Sequence, residues 1–193
     1  MKNKKKLSLI CVCITLLLCI TGCGSSKTVS ELDKPVEIKD WKITMKNIEY
    51  SEGYCKVLNY NFLTSITTYT EGGKDYICSQ EKAESGKKFL LFEMTVEYIG
   101  KSKSRQYITG FNLDYNNGYN VRPESVYISK NGENWEYIDG GAVNTKEVEI
   151  DSLDNPSFII RGAFEINDKI ETDTESSLII KTPALFDFTY KIR

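Results

Sequence analysis

Histidine is absent from all 193 residues. That removes the Ser-His-Asp and Cys-His schemes of nucleophilic catalysis, and it takes from any zinc site its usual nitrogen ligand. No metal and no cofactor is expected, and no motif singles out a Ser-Lys or carboxylate pair, so the chain does not read as an enzyme. Alanine does not occur before Ala83, which argues against an ordinary A-x-A-like export cleavage site. No run is long enough to span a membrane: the apolar stretch at residues 7–20 falls short of the roughly 20 residues a spanning helix needs. No helical period of 3.6 is sustained after that stretch, which leaves strands as the building element.

What is present begins with an address. Lys2, Lys4, Lys5 and Lys6 precede the apolar run, the arrangement of an export signal. Ile20-Thr21-Gly22-Cys23 then resembles the lipobox of bacterial lipoproteins. The resemblance implies a diacylglyceryl thioether on Cys23 and cleavage of the Gly22–Cys23 bond, with residues 1–22 as signal peptide and 23–35 as lipidated cysteine and flexible stalk. Each buried methylene contributes about 0.8 kcal/mol, so two acyl chains hold a protein that one would leave exchanging. The expected location is the extracytoplasmic face of the cell membrane, with the membrane itself as a partner. Loss of residues 1–22 lowers Lys+Arg from 25 to 21 against 27 Asp+Glu, a net charge of −6. A chain without clustered basic residues lacks the footprint of phosphate-backbone binding, and nucleic acid is not an expected partner.

The rest is organised around Lys88-Phe-Leu-Leu-Phe-Glu-Met-Thr-Val-Glu-Tyr98. Phe92, Met94, Val96 and Tyr98 alternate with Glu93, Thr95 and Glu97, which predicts a strand with one buried face. The unbroken Phe89, Leu90 and Leu91 suit a central position in a sandwich. Before it, residues 36–50 predict a long strand, with phase slips near Trp41 and Asn47 that a bulge would explain. Residues 54–63 predict a second strand antiparallel to the first. Residues 64–87 predict an inserted hairpin turning at Gly72-Gly73. After it, residues 106–115 and 119–128 predict a hairpin joined at Asn116-Asn117-Gly118, with Pro123 marking an edge or bulge. Residues 139–156 hold no clear period. Residues 158–166, 178–181 and 186–192 predict three further strands. About eight short strands without helices predict an all-β domain over residues 36–193, an antiparallel β-sandwich.

Gly86-Lys-Lys-Phe-Leu-Leu-Phe-Glu-Met-Thr-Val-Glu-Tyr-Ile-Gly100, Leu113-Asp-Tyr-Asn-Asn-Gly118, Phe158-Ile-Ile-Arg-Gly-Ala-Phe-Glu-Ile166 and Leu178-Ile-Ile-Lys181 together resemble the family called domain of unknown function 4352. The resemblance covers residues 36–193. It implies an immunoglobulin-like sandwich exposed outside the cell, of a kind found in lipoproteins of Gram-positive bacteria. It departs from the pattern where Tyr98-Ile99 stand in place of the usual Asn and in the length of the 51–87 insertion. It carries no active site.

Cys55 and Cys78 remain once Cys11, Cys13, Cys19 and Cys23 are assigned to the leader and anchor. In an exported domain they suggest a disulfide, which on a chain-entropy argument contributes about 3 kcal/mol; two separate buried thiols are the alternative. Cys78 would oppose a residue near 67 in the hairpin, so the bond requires the hairpin to fold back on the second strand. Acidic clusters at Glu147, Glu149, Asp151 and Asp154, and at Asp168, Glu171, Asp173 and Glu175, lack calcium-loop spacing and read as solvated loops. Tyr50, Tyr54, Tyr60, Tyr69 and Tyr76 gather around the insertion, either as good strand residues or as a contact surface for peptide or sugar. The functional expectation is a binding or interaction module, with a surface protein or glycan as ligand. The alternatives are an envelope accessory component and, remotely, an uncharacterised hydrolase.

Overall fold

The computed structural model describes residues 27–57, 66–71, 74–101, 104–108, 110–116, 118–130, 132, 134–139, 146–150, 157–182 and 188–193. The strands in chain order are β1 (Lys27–Val29), β2 (Val36–Ile38), β3 (Trp41–Ser51), β4 (Gly53–Val57), β5 (Ile66–Glu71), β6 (Lys74–Lys82), β7 (Lys87–Tyr98) and β8 (Ser104–Ile108). They continue with β9 (Asn112–Tyr115), β10 (Tyr119–Val121), β11 (Ser125–Ser129), β12 (Glu136–Asp139), β13 (Lys146–Ile150) and β14 (Ser157–Asn167). A single helical turn, α1 (Lys169–Thr172), leads to β15 (Leu178–Thr182) and β16 (Phe188–Lys191).

Alternation along β7 sets the frame. Phe92, Met94, Val96 and Tyr98 are buried, Glu97 is exposed, and Leu91, Glu93 and Thr95 are half-buried. Both edges of β7 are occupied, by β3 and by β14, so it is central in a six-stranded sheet ordered β12-β11-β14-β7-β3-β2. A five-stranded sheet, β1-β16-β15-β9-β10, faces it. Leu90, Phe92, Ile43, Ile160 and Phe164 from the first sheet and Leu113, Ile180 and Phe188 from the second join one buried cluster. The chain is therefore a β-sandwich, as its period-2 pattern requires. Gly162 on β14 faces Phe92, and a Cβ there would come within 2.3 Å of the ring. The missing side chain is what lets Phe92 lie flat between Phe111 and Phe164, at centroid distances of 5.6 and 5.5 Å.

Several expected elements are rearranged. The first phase slip is a tight hairpin between β2 and β3, closed at Lys39 with φ of 53°. The second is a bulge, with the register against β7 shifting between Met45 and Asn47. The strand expected at 54–63 does not pair with the first. Both edges of β3 are taken by β2 and β7, and β4 pairs with β6 instead. The expected hairpin is present as β5 and β6, with Thr67 opposite Cys78, and it folds back on β4 to make a third sheet ordered β4-β6-β5. Its turn at Gly72-Gly73 lies outside the described residues.

Residues 106–115 are not one strand. Gly110, at φ of 75°, separates β8 from β9, which join different sheets. β8 pairs with β13, a strand in the stretch whose sequence holds no clear period. The span 119–128 is divided likewise. β10 ends before Pro123, which has no N–H to give a ladder, and β11 crosses to the six-stranded sheet, where Glu124 N donates to Ala163 O at 2.8 Å. The loop at 116–118 has three residues between the paired Tyr115 and Tyr119, with Asn116 at φ of 51°.

The boundary expected at Val36 also moves. Lys27–Val29, expected as flexible stalk, forms β1 parallel to β16. Asp33 adds a backbone bond to Met45 O at 2.9 Å and an ion pair with Lys46 at 2.8 Å.

Candidate functional site

The outward face of the six-stranded sheet is built by register. Alternation turns Leu91 and Glu93 of β7 away from the core, and pairing sets Ala163 beside Leu91 and Arg161 beside Glu93. On β11, Ser125 then stands beside Ala163 and Tyr127 beside Arg161. On β3 the bulge completes the row. One extra residue inverts the facing of the strand beyond it, so Ile48 opposes Phe92 over the core while Asn47 and Glu49 oppose outward Glu93 and Leu91. Without it Asn47 would be directed into the core.

Tyr54 of β4 and Trp135, just before β12, rise over this face, and with it they line a cleft of about 400 Å³. The ring of Tyr54 meets Phe89 edge-on at 4.8 Å, and its hydroxyl accepts a hydrogen bond from Ser125 Oγ at 2.9 Å. Burial pushes the Tyr54 phenol up to about 12; the Ser125 bond opposes that rise, and the charges of Glu81 and Glu124 add to it. Arg161 Nε donates to Glu93 Oε2 at 2.7 Å, and its guanidinium sits 4.5 Å over the Trp135 ring, so one cation is held by a carboxylate and an aromatic face together. Tyr127 packs on Tyr137 at 5.5 Å, and Lys56 Nζ lies 6.0 Å over the Tyr137 ring.

Two donors in this wall, Trp135 Nε1 and Tyr127 Oη, are buried and have no hydrogen-bond partner among the described residues. Burial raises the Tyr127 phenol well above its ordinary range. A buried donor left unpaired costs about 1–3 kcal/mol, so an acceptor that reached either atom would be favoured there.

Burial of Tyr54 also makes stability depend on pH. The unfolded chain ionises its tyrosines near pH 10 while folded Tyr54 keeps its proton to about 12, so the native state is fully favoured below that window and loses stability as pH climbs through it. Denaturant midpoints compared at about pH 9 and pH 11 should fall less in Tyr54→Phe than in the parent. An equal fall would mean the phenol is not held back by burial.

The residues singled out by sequence scatter. Cys23 lies outside the described residues, as do Tyr60, Asp151 and Asp154. Cys55 lines the cleft, and the ladder places it opposite Gln80 while Val57 stands opposite Cys78. The ladder sets Tyr69 opposite Tyr76 within the hairpin, Tyr50 packs against the core, and Tyr54 lines the cleft. Glu147 and Glu149 fall on β13. The second acidic cluster is engaged in structure. Asp173 accepts from the Tyr115 hydroxyl and from the N–H groups of Ser176 and Glu175, which hold its carboxyl well below the usual range, and Glu171 pairs with Lys88 at 2.5 Å. Among the described residues no group of three or more His, Cys, Asp or Glu could hold a metal ion, and no helix is long and apolar enough to cross a membrane. Sequence reading missed Arg161, Glu93, Tyr127 and Trp135. The available signal was opposite charge at outward positions of two long strands.

Two sheets closed over one core define a β-sandwich protein. The fold is similar to a crystal structure of an uncharacterized β-sandwich protein from Clostridium difficile 630, with a TM-score of 0.51 and 16% sequence identity over 90% of this chain and 98% of that one. At that identity the likeness shows the fold alone. No protein-family model matches the chain, and no curated protein matches it in sequence.

Proposed function

We propose that the protein is an extracytoplasmic lipoprotein, anchored to the membrane through Cys23, whose β-sandwich binds a partner in the cleft beneath Tyr54 and Trp135. The observation that carries the binding role is the pair of buried donors, Trp135 Nε1 and Tyr127 Oη, in the wall of an open cleft of about 400 Å³. Buried polar groups are ordinarily hydrogen-bonded, so two unpaired donors in one cleft wall favour a ligand there. The anchor is supported by Ile20-Thr21-Gly22-Cys23 behind a basic, apolar leader. The same reading takes in kinship with domain of unknown function 4352, supported by the strand pattern of residues 86–118 and 158–181. It also takes in a Cys55–Cys78 disulfide, supported by the pairing of β4 with β6, which puts the two cysteines on adjacent strands.

The binding role is tested by a photo-crosslinking residue placed in the full-length protein in cells, at Asn47 on the cleft and, separately, at Tyr119 on strand β10 of the other sheet, 62% exposed. A discrete adduct from Asn47 and none from Tyr119 is the expected result. The same adducts from both, or none from either, would overturn the cleft as the contact.

A further inference from the structure

We infer that the cleft takes a cationic peptide segment, a lysine or arginine side chain with the backbone carbonyls beside it, presented by a protein partner; this rests on the cleft being a contact site. The charge is complementary. Glu49 and Glu93 line the cleft, and Glu81 and Glu124 act on the same space through Tyr54. The described cations nearby are Arg161, committed to Glu93, and Lys56, set over Tyr137. Glu49 is exposed and is met among the described residues by the Asn47 amide at 3.5 Å and by no cation, so one carboxylate at the cleft lacks a counter-charge. The processed chain, at −6, draws cations from a distance as well.

The two buried donors select the rest of the ligand. They need acceptors, and carbonyl oxygens meet that need without bringing negative charge beside Glu49 and Glu93. An acidic ligand would satisfy the donors but meet repulsion from the carboxylates. A neutral sugar would need free aromatic faces, and Arg161 already covers one face of Trp135. That same guanidinium shows how the cleft accommodates a cation, between a carboxylate and a ring. The cavity is within the range of 300–1,000 Å³ typical of small-ligand sites, enough for one long side chain and its flanking peptide units.

The chain has two tryptophans, so the detergent-solubilised mature protein labelled with ¹⁵N at tryptophan gives two indole signals, with core-buried Trp41 as reference. Three probes are titrated: Gly-Lys-Gly blocked at both ends, Gly-Glu-Gly blocked likewise, and cellobiose. The lysine peptide should move the Trp135 indole proton downfield and leave Trp41 in place, and Glu49→Gln should weaken its binding about tenfold. Glu49 is exposed, and an unmoved Trp41 signal confirms that this variant is folded. A shift with cellobiose alone, or an equal shift with the glutamate peptide, would overturn the cationic ligand while leaving the cleft as a contact. Silence from Trp135 with all three, or unchanged affinity in Glu49→Gln, would overturn it too, and the crosslinking result at Asn47 decides separately whether the cleft is a contact at all.

Discussion

Phe92→Ala should lower the stability of the domain by about 3–5 kcal/mol, read as a lower urea midpoint at unchanged slope. Phe92 is 2% exposed and stacked between Phe111 and Phe164. Its strand is held in an unbroken ladder to β14 from Ser157 to Asn167. Truncation therefore opens a hole that neither backbone nor neighbouring rings can close. Gly162, the residue across the ladder, has no side chain to swing in. Small domains have only about 5–15 kcal/mol in total, so the variant should approach the limit of folding at 37 °C. A loss under about 1 kcal/mol would show that the two sheets do not share this core.

Cys23→Ser should release the protein from the membrane. The proposed thioether needs the Cys23 sulfur, and a hydroxyl in its place would leave no site for a diacylglyceryl group. Among the described residues no helix is long and apolar enough to cross a membrane. The large exposed hydrophobics among the described residues are Leu32, Ile99 and Tyr119. Fractionation should find the parent in membranes and the variant in the soluble fraction. Equal membrane retention would mean that something other than Cys23 holds it.

The long strands are legible in the sequence because their periodicity is local. Over most of β7 and β14 buried residues alternate with half-buried or exposed ones, and the pattern needs no partner to be visible. Pairing is another matter. β4 reads as the neighbour of β3 because it comes next in the chain, yet the edge of β3 is claimed by β7, some 40 residues further on. β13, Lys-Glu-Val-Glu-Ile, has two apolar residues, too few to separate a strand from an acidic loop. β1 is illegible for a similar reason, since three residues acquire a strand conformation only by docking on the C-terminal β16.

The cleft depends on both kinds of information. That Glu93 faces away from the core is legible. That Arg161 stands across from it, and that a bulge turns Glu49 to the same side, come from registers that join residues 49, 93 and 161. Trp135 lies outside any strand pattern, in the link before a four-residue edge strand, and its place in the wall is set by the hairpin of β11 and β12.

That this β-sandwich is processed at Cys23 and lives on a lipid outside the cell is tested most directly by intact mass spectrometry of the protein extracted from its native membranes. The expected species begins at Cys23, carries a diacylglyceryl group, and lacks the two hydrogen atoms lost when Cys55 and Cys78 join. A chain that retains residues 1–22 and bears no lipid would contradict it.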